Sequence, residues 1–201
     1  MTDEIYRLPD FSGSLFCVER SVLTGYNIRT ADIIPFGGDM MKEQKTNVMR
    51  LLEQKKVKYT PHEYPHGDAA VDGLTVAKLC GLEPARVFKT LVARGASKSI
   101  YVFVIPVTGE LDLKKAAKAS GEKSVAMIHV SEINALTGYV RGGCSPIGMK
   151  KQFRTFFNSS AEHLPTIMVS AGKIGSQVEL APAELIKLTR GAYAELVSEN
   201  E

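Results

Sequence analysis

The sequence has few cysteines, and their spacing excludes two kinds of small, cross-linked fold. Its 201 residues contain three, Cys17, Cys80 and Cys144, which form no Cys-x-x-Cys pair and have no nearby pair of histidines. A disulfide framework and a structural zinc site are therefore not expected. Single thiols are typical of a reducing cytosol. We predict a cytoplasmic protein with no metal and no cofactor.

Long apolar segments and targeting signals are missing as well. The longest apolar run, residues 100–107, contains Pro106 and is far shorter than the ~20 residues that a membrane-spanning helix requires. Residues 1–40 have no basic start followed by an apolar block and a cleavage site, so they do not resemble a secretory signal. A hydrophobic content of 44% and a charged content of 23% are typical of globular proteins and argue against disorder, collagen and coiled coil.

The net charge of +3 conceals an asymmetry along the chain. Residues 1–40 contain three basic and six acidic side chains, which leaves 22 basic and 16 acidic side chains in residues 41–201. This surplus of positive charge could help to bind a phosphate backbone. Ordinary solubilising charge explains it equally well.

The first 40 residues differ from the rest in pattern. They show no sustained helical or alternating periodicity, and they are interrupted by Pro9, Pro35 and the Gly37-Gly38 pair. A flexible arm, an added strand and an upstream translation artefact are all compatible with this. We interpret residues 1–40 as a loosely attached extension and residues 41–201 as the folded domain.

From residue 41 onward, helix and strand patterns alternate with clear boundaries. Thr46 is placed to cap an amphipathic helix, and Asp112 to cap a second helix that ends at Gly121. The β-rich runs 87–93 and 99–107 are separated by a short turn and predict a hairpin. Further strands and helices are predicted in chain order, at 57–64, 75–80, 125–129, 131–136, 153–157, 166–171, 177–180 and from Pro182 to before Gly191. Hairpin-paired strands with packed helices indicate an α+β fold.

Lys89 is the first candidate for chemistry. Strand alternation places it on the same face as Val87 and Leu91, and both faces of this strand are apolar. We interpret the strand as internal, so that the ammonium requires polar partners or a cavity. The alternative is an edge strand, on which the lysine stem lies over apolar neighbours and the ammonium reaches water.

A glycine-rich loop, residues 138–148, is the second candidate. Its four glycines allow close backbone approach to a ligand and can present N–H donors to a developing oxyanion. The loop lacks the spacing and the Lys-Ser/Thr ending of a nucleotide phosphate loop, so ATP binding is not supported. A structural turn cluster is the alternative. Cys144 lies within the loop, but no His or Asp can be placed beside it, which favours a small buried thiol over a nucleophile.

Two other polar segments have weaker signals. His62 and His66 have the i, i+4 spacing of metal ligands on a helix, but Pro61 and Pro65 exclude that helix, and a polar strand end is the interpretation. Residues 170–177 predict a tight hairpin whose hydroxyl and amide groups could line a pocket. A plain turn is equally consistent with them.

These segments are where the sequence resembles the YbaK/EbsC family of aminoacyl-tRNA deacylases, relatives of the editing domain of bacterial prolyl-tRNA synthetases. The resemblance extends from about residue 41 to residue 196. It consists of ordered blocks at residues 41–64, 87–91, 109–115, 137–139, 142–148 and 169–173.

The resemblance implies a fold and a reaction. The fold is a mixed, mostly antiparallel sheet of six or seven strands, curled like a barrel and surrounded by helices. The reaction is release of cysteine from mischarged Cys-tRNA(Pro), with Cys-tRNA(Cys) as a further substrate, and the cysteine thiol of the substrate is the nucleophile. The implied partners are the acceptor end of an aminoacyl-tRNA and, as a candidate, prolyl-tRNA synthetase. A non-catalytic module that binds a tRNA acceptor end or a synthetase is the alternative.

The resemblance also assigns site residues. Lys89 occupies the position of the essential strand lysine, where it would hold the terminal ribose-phosphate or the aminoacyl carbonyl, and the Gly142 N–H would share in catalysis. The matching substrate-binding positions are Tyr64, Thr90, Gly143, Ser170 and Gln177. The sequence departs from the best-known members at Gln177, where they have Asp, and at Ile174, where a basic residue is usual. Both departures bear on the preferred amino acid.

Overall fold

The structure of the protein is a computed structural model, which describes residues 45–67 and 70–198 together with the backbone of three earlier strands. Those strands are β1 (Ile5–Pro9), β2 (Leu15–Glu19) and β3 (Ile34–Pro35), which form an antiparallel sheet in the order β2-β1-β3. The chain divides into two units, residues 1–44, which include these strands, and residues 45–201. The prediction that residues 1–40 are loosely attached stays a prediction, since most of these residues lie outside the described part of the chain.

The second unit is built from five α-helices, two short 3-10 helices and eight strands within its described residues. The helices are α1 (Asn47–Gln54), α2 (Gly73–Leu79), α3 (Leu113–Ser120), α4 (Val130–Thr137) and α5 (Pro182–Thr189), with 3-10 turns at Pro84–Arg86 and Ser159–His163. The strands are β4 (Thr60–Glu63), β5 (Phe88–Gly95), β6 (Ile100–Pro106), β7 (Val125–Met127), β8 (Arg154–Asn158), β9 (Ile167–Lys173), β10 (Ser176–Leu180) and β11 (Ala192–Ala194).

These strands form two sheets. One is antiparallel, in the order β4-β10-β9, and the other is mixed, in the order β11-β8-β6-β5-β7, with β8 parallel to both β6 and β11. A parallel bridge between Val87 and Met168 joins the sheets at one point. The α+β class and the mostly antiparallel pairing are confirmed. Within the described residues of this unit, the strands form two sheets connected by this bridge, and they do not close into a barrel.

The core explains why the central hairpin is apolar throughout. Val102 and Val104 of β6 pack in a cluster that includes α1, whereas Phe103 and Ile105 pack in a second cluster that includes α3. Both faces of the strand are therefore covered, as a continuous hydrophobic run requires. The described residues include no helix with the length and apolarity that a membrane crossing demands.

The predicted caps are confirmed. The Thr46 hydroxyl accepts a hydrogen bond from the Met49 N–H, the Asp112 carboxylate accepts from Lys114 and Lys115, and Gly121 ends α3 at φ +76°. These arrangements satisfy backbone groups that helix ends leave free.

Several boundaries differ from the predictions by one to three residues, and two of these differences have a clear local cause. Helix α2 begins at Gly73 instead of Thr75 because the carboxylate of Asp72 caps it. Strand β4 begins at Thr60 instead of residue 57 because Lys56 turns into the left-handed region and the Val57 N–H still donates to Leu52 at the end of α1. Strand β11 was not predicted, and neither were the separate strands β1, β2 and β3.

Candidate active site

A cavity of about 560 Å³ opens between the two sheets and is lined by residues that are far apart in the sequence. Six of the seven predicted site residues line it, and they come from the end of β4, from β5, β9 and β10 and from the glycine-rich loop: Tyr64, Lys89, Thr90, Gly142, Ser170 and Gln177. Gly143 is outside the lining. Its N–H donates to the carbonyl of Val140, and a Cβ at this position would lie 3.2 Å from the backbone of Lys173 and Ile174, so the loop runs close to the β9–β10 turn.

Strand β5 contributes the largest part of the lining. Residues 87–92 all contribute to the lining, and β5 is paired with β6 on one side and, at its C-terminal end, with β7 on the other. The prediction that this strand is internal is correct only at residues 93–95, where both neighbours pair with it; at Lys89, among the described strands, only β6 does, as the edge-strand alternative expects. Lys89 is 29% exposed, and its Nζ donates to the Glu110 carboxylate at 3.0 Å. The ammonium therefore has a partner at the cavity without being sealed in the core.

Ser170 and Gln177 face each other across β9 and β10. Their side chains are 8% and 6% exposed, and both line the cavity. The Ser170 hydroxyl accepts a hydrogen bond from the Gly172 N–H at 3.2 Å, so its proton remains available to an acceptor. This pair gives the wall neutral donors and acceptors and no negative charge.

The glycine-rich loop approaches the cavity at Gly142. This residue has φ +84°, and a Cβ there would lie 2.5 Å from the Cβ of Ala70, so glycine is required both by conformation and by space. Within the described residues its N–H has no hydrogen-bond partner and can donate to a ligand. The Tyr139 hydroxyl fixes the loop by donating to the carbonyl of Ile147 at 2.6 Å, and burial raises the pKa of Tyr139 to about 12.

Cys144 lines the cavity but lacks the features of a nucleophile. Burial raises the pKa of its thiol to about 11, so the thiol is neutral near pH 7. No histidine lines the cavity within the described residues. The interpretation of Cys144 as a buried thiol agrees with this environment.

Several lining residues were missed in the sequence. Arg141 and Asp72 add a positive and a negative group, and an apolar part of the wall comes from the segments before α2 and around β7 and α4. Arg141 could have been noticed because it lies inside the glycine-rich loop. The apolar residues carry no signal that separates them from core positions.

The two histidines of the 62–66 segment do not form a metal site. His62 contacts the carboxylate of Glu179 at 2.9 Å, and His66 packs over Gly175. No group of three potential metal ligands occurs in residues 45–67 and 70–198. Glu179 also accepts hydrogen bonds from Arg86 and Thr166, which makes this a structural polar cluster on β10.

Residues 70–188 match the family model described as an aminoacyl-tRNA editing domain. The chain is 50% identical over 156 residues, 78% of its own length, to an Enterococcus faecalis protein named as a candidate Cys-tRNA(Pro)/Cys-tRNA(Cys) deacylase, EbsC, of which 95% is covered.

Two solved structures show a similar fold. A candidate trans-editing enzyme for prolyl-tRNA synthetase matches with a TM-score of 0.66 and 24% identity, over 76% of this chain and 95% of its own. A hypothetical protein matches with a TM-score of 0.68 and 19% identity, over 75% of this chain and 99% of its own. At these identities the two structures support the fold alone.

Proposed function

Because the chain belongs to the family of aminoacyl-tRNA editing domains, we propose that it is a trans-editing deacylase that releases cysteine from mischarged Cys-tRNA(Pro), with Cys-tRNA(Cys) as a second substrate. One observation carries the proposal. Lys89, Gly142 and Ser170 come from three distant segments and meet at a single cavity. A protein of this activity acts in the cytoplasm, where its aminoacyl-tRNA substrates are made.

Two groups of the cavity bind the charged and polar parts of the substrate. The Lys89 ammonium holds the terminal ribose-phosphate or the aminoacyl carbonyl, and the free N–H of Gly142 donates to the oxygen on which negative charge develops. Tyr64, Thr90, Ser170 and Gln177 surround the aminoacyl side chain. Gly143 acts indirectly, because its close approach to the β9–β10 turn holds Gly142 in place.

The nucleophile comes from the substrate. Within the described residues the cavity offers no Ser-His or Cys-His pair, and Cys144 is neutral. The thiol of the esterified cysteine attacks its own carbonyl carbon, so a C–S bond forms and the C–O bond to the ribose breaks. The thiol proton passes to the ribose oxygen, which leaves tRNA with a free hydroxyl and a cyclic thioester that water then opens. Intramolecular attack gives the thiol a high effective concentration.

A panel of charged tRNAs with one tRNA(Pro) body tests the proposal. We expect cysteinyl-tRNA to be deacylated much faster than seryl-tRNA and alanyl-tRNA, because a thiol is partly ionised near neutral pH and a hydroxyl is not. A pocket that only admits small side chains would separate cysteine from serine by a modest factor.

The remaining outcomes of the panel separate the alternatives. Equal rates for the three esters would indicate that the nucleophile is an activated water and not the substrate thiol. Gln177 and Tyr64 would then be the groups to test. Binding of aminoacyl-tRNA without release of any amino acid would establish the non-catalytic module instead. Because Cys-tRNA(Pro) is a mischarging product of prolyl-tRNA synthetase, that enzyme is the candidate protein partner, and its addition to the assay would reveal an effect on the rate.

A further inference from the structure

Strand β5 has an open edge on the cavity side. In a strand paired along both edges, only alternate residues face a given cavity, yet residues 87–92 all line this one. Strand β6 pairs with β5 from Phe88 to Arg94, whereas β7 pairs only from Ala93 onward. At the other end, Val87 is bridged to Met168. Among the described residues, no strand pairs with the cavity-side edge between these two points.

The backbone direction at this edge follows from the hydrogen bonds at its ends. The Val87 carbonyl accepts from Val107 and the Gly95 N–H donates to Ser99, so odd-numbered residues bond toward β6. The Val92 carbonyl accepts from the Ile128 N–H on the opposite edge. Because residues alternate in an antiparallel ladder, the N–H and C=O of Thr90 point away from β6 and toward the cavity.

Thr90 is also unusual in its side chain. Its Oγ1 is buried and has no hydrogen-bond partner within the described residues. Buried polar atoms without partners are rare and costly, and they often mark the place of a ligand. The open backbone and the unpaired hydroxyl thus occur at the same residue of the cavity wall.

We infer that the aminoacyl group of the substrate binds Thr90 as the opposite residue of an antiparallel strand. The α-amino group donates to the Thr90 carbonyl, and the Thr90 N–H donates to the ester carbonyl oxygen. This inference rests on the proposed deacylase function and adds the subsite that recognises the free amine. Two main-chain bonds fix the ester relative to Lys89 and Gly142, whatever the amino-acid side chain.

The same edge limits the length of the occupant. In an antiparallel arrangement the amino end of the substrate points toward the C-terminal end of β5, where Val92 is already bonded to Ile128. An acyl group on the α-nitrogen would have to enter this closed end. The open segment therefore accepts one amino acid and excludes an N-acylated or peptidyl ester.

The test compares three esters on one tRNA(Pro) body: cysteinyl, 3-mercaptopropionyl and N-acetylcysteinyl. The second lacks the amine but keeps the thiol, and the third keeps an N–H donor but adds bulk. Each enzymatic rate is divided by the spontaneous cleavage rate of the same ester, because the α-amino group itself activates an ester. We expect both analogues to lose about 20-fold or more in normalised kcat/KM.

Each outcome has one meaning. A 3-mercaptopropionyl ester cleaved as well as the cysteinyl ester would overturn the amine subsite. Normal cleavage of the N-acetyl ester would contradict the claim that the C-terminal end of the open segment excludes an acyl group on the α-nitrogen. Thr90→Val keeps the main chain and removes only the hydroxyl. The ratio of normalised kcat/KM between the cysteinyl and 3-mercaptopropionyl esters should therefore stay within about twofold of the wild-type ratio. A collapse of that ratio would show that the hydroxyl binds the amine and would refute the main-chain subsite. Failure to cleave the cysteinyl ester at all would refute the proposed function itself.

Discussion

The Nζ of Lys89 donates a hydrogen bond to Oε1 of Glu110 at 3.0 Å, although only Lys89 lines the cavity. Glu110 is 87% exposed and lies in the turn after β6, where its carbonyl accepts from the Ser198 N–H. An ion pair with one partner so exposed contributes little to stability. A substrate phosphate can therefore replace the carboxylate at the ammonium.

Replacement of Lys89 by alanine should remove most of the deacylation. If the ammonium stabilises the reacting ester, the loss in kcat/KM corresponds to about 2–4 kcal/mol. The fold should survive, because the lysine is partly exposed and its only described ion pair is weak. Lys118→Ala, on the exposed face of α3, is the matched control. Near-normal turnover by a folded Lys89→Ala protein would contradict the assignment.

Glu110→Gln should tighten substrate binding. The variant frees Lys89 and removes a negative charge that repels the RNA, so we expect KM to fall about two- to threefold, the size of an exposed ion-pair effect, with kcat unchanged. Steady-state kinetics on Cys-tRNA(Pro) measure both. Glu184→Gln, which breaks a remote pair with Lys187, is the control. A fall in kcat at constant KM would instead mean that Glu110 positions the ammonium.

Cys144→Ser should retain activity within about tenfold, a cost of no more than ~1.4 kcal/mol. The thiol has a pKa of about 11 because it is buried, so it carries no nucleophilic charge at the assay pH. Turnover of the variant and mass spectrometry of the wild-type protein during turnover check this. A thioester trapped on Cys144, or loss of activity in a folded variant, would identify the enzymic thiol as the nucleophile.

Gly142→Ala should reduce activity about tenfold or more. The new Cβ would lie 2.5 Å from Ala70, and the residue has φ +84°, so the loop has to move and its N–H leaves the cavity. Gly121→Ala has a comparable φ of +76° with open space around the Cβ, and it controls for backbone strain. Equal activities of the two variants would show that the Gly142 N–H is dispensable.

Glu179→Gln should destabilise the fold in a pH-dependent way. Burial tends to raise the pKa of Glu179, but hydrogen bonds from Thr166 and His62 and the charge of Arg86 outweigh it, so the net pKa is lowered. A lowered carboxylate pKa stabilises the fold above the unfolded-state value of 4.5 and loses this effect as the pH falls through the folded-state value.

We therefore expect Glu179→Gln to cost about 1–2 kcal/mol at pH 7, and the difference from the wild type to shrink below about pH 4.5. Urea denaturation over this pH range measures the free energy of unfolding. Glu63→Gln, at an exposed position of β4, should leave it unchanged. A constant difference at all pH values would mean that the carboxylate charge is irrelevant.

Local sequence determined the parts of this protein whose partners are close in the chain. The caps at Thr46 and Asp112 bond to amides two or three residues away, and the β5–β6 hairpin is closed by its own turn. Apolar runs covered on both faces identified the strand that carries Lys89. The short β11 could not be predicted from local sequence, because it is defined by pairing with β8, more than 30 residues earlier.

The candidate site also has a part that local sequence predicts and a part that depends on long-range contacts. Its residues could be named one by one, from glycine spacing, strand alternation and resemblance to a family. Their meeting at one cavity depends on the pairing of β9 with β10 and on the packing of Gly142 and Gly143 against other segments. The Lys89–Glu110 contact and the open edge at Thr90 have no local signal, because each depends on where distant strands begin and end. Short-range hydrogen bonds and periodicity therefore determined the elements and the candidate residues, while long-range pairing decided the cavity, its charges and its unpaired backbone.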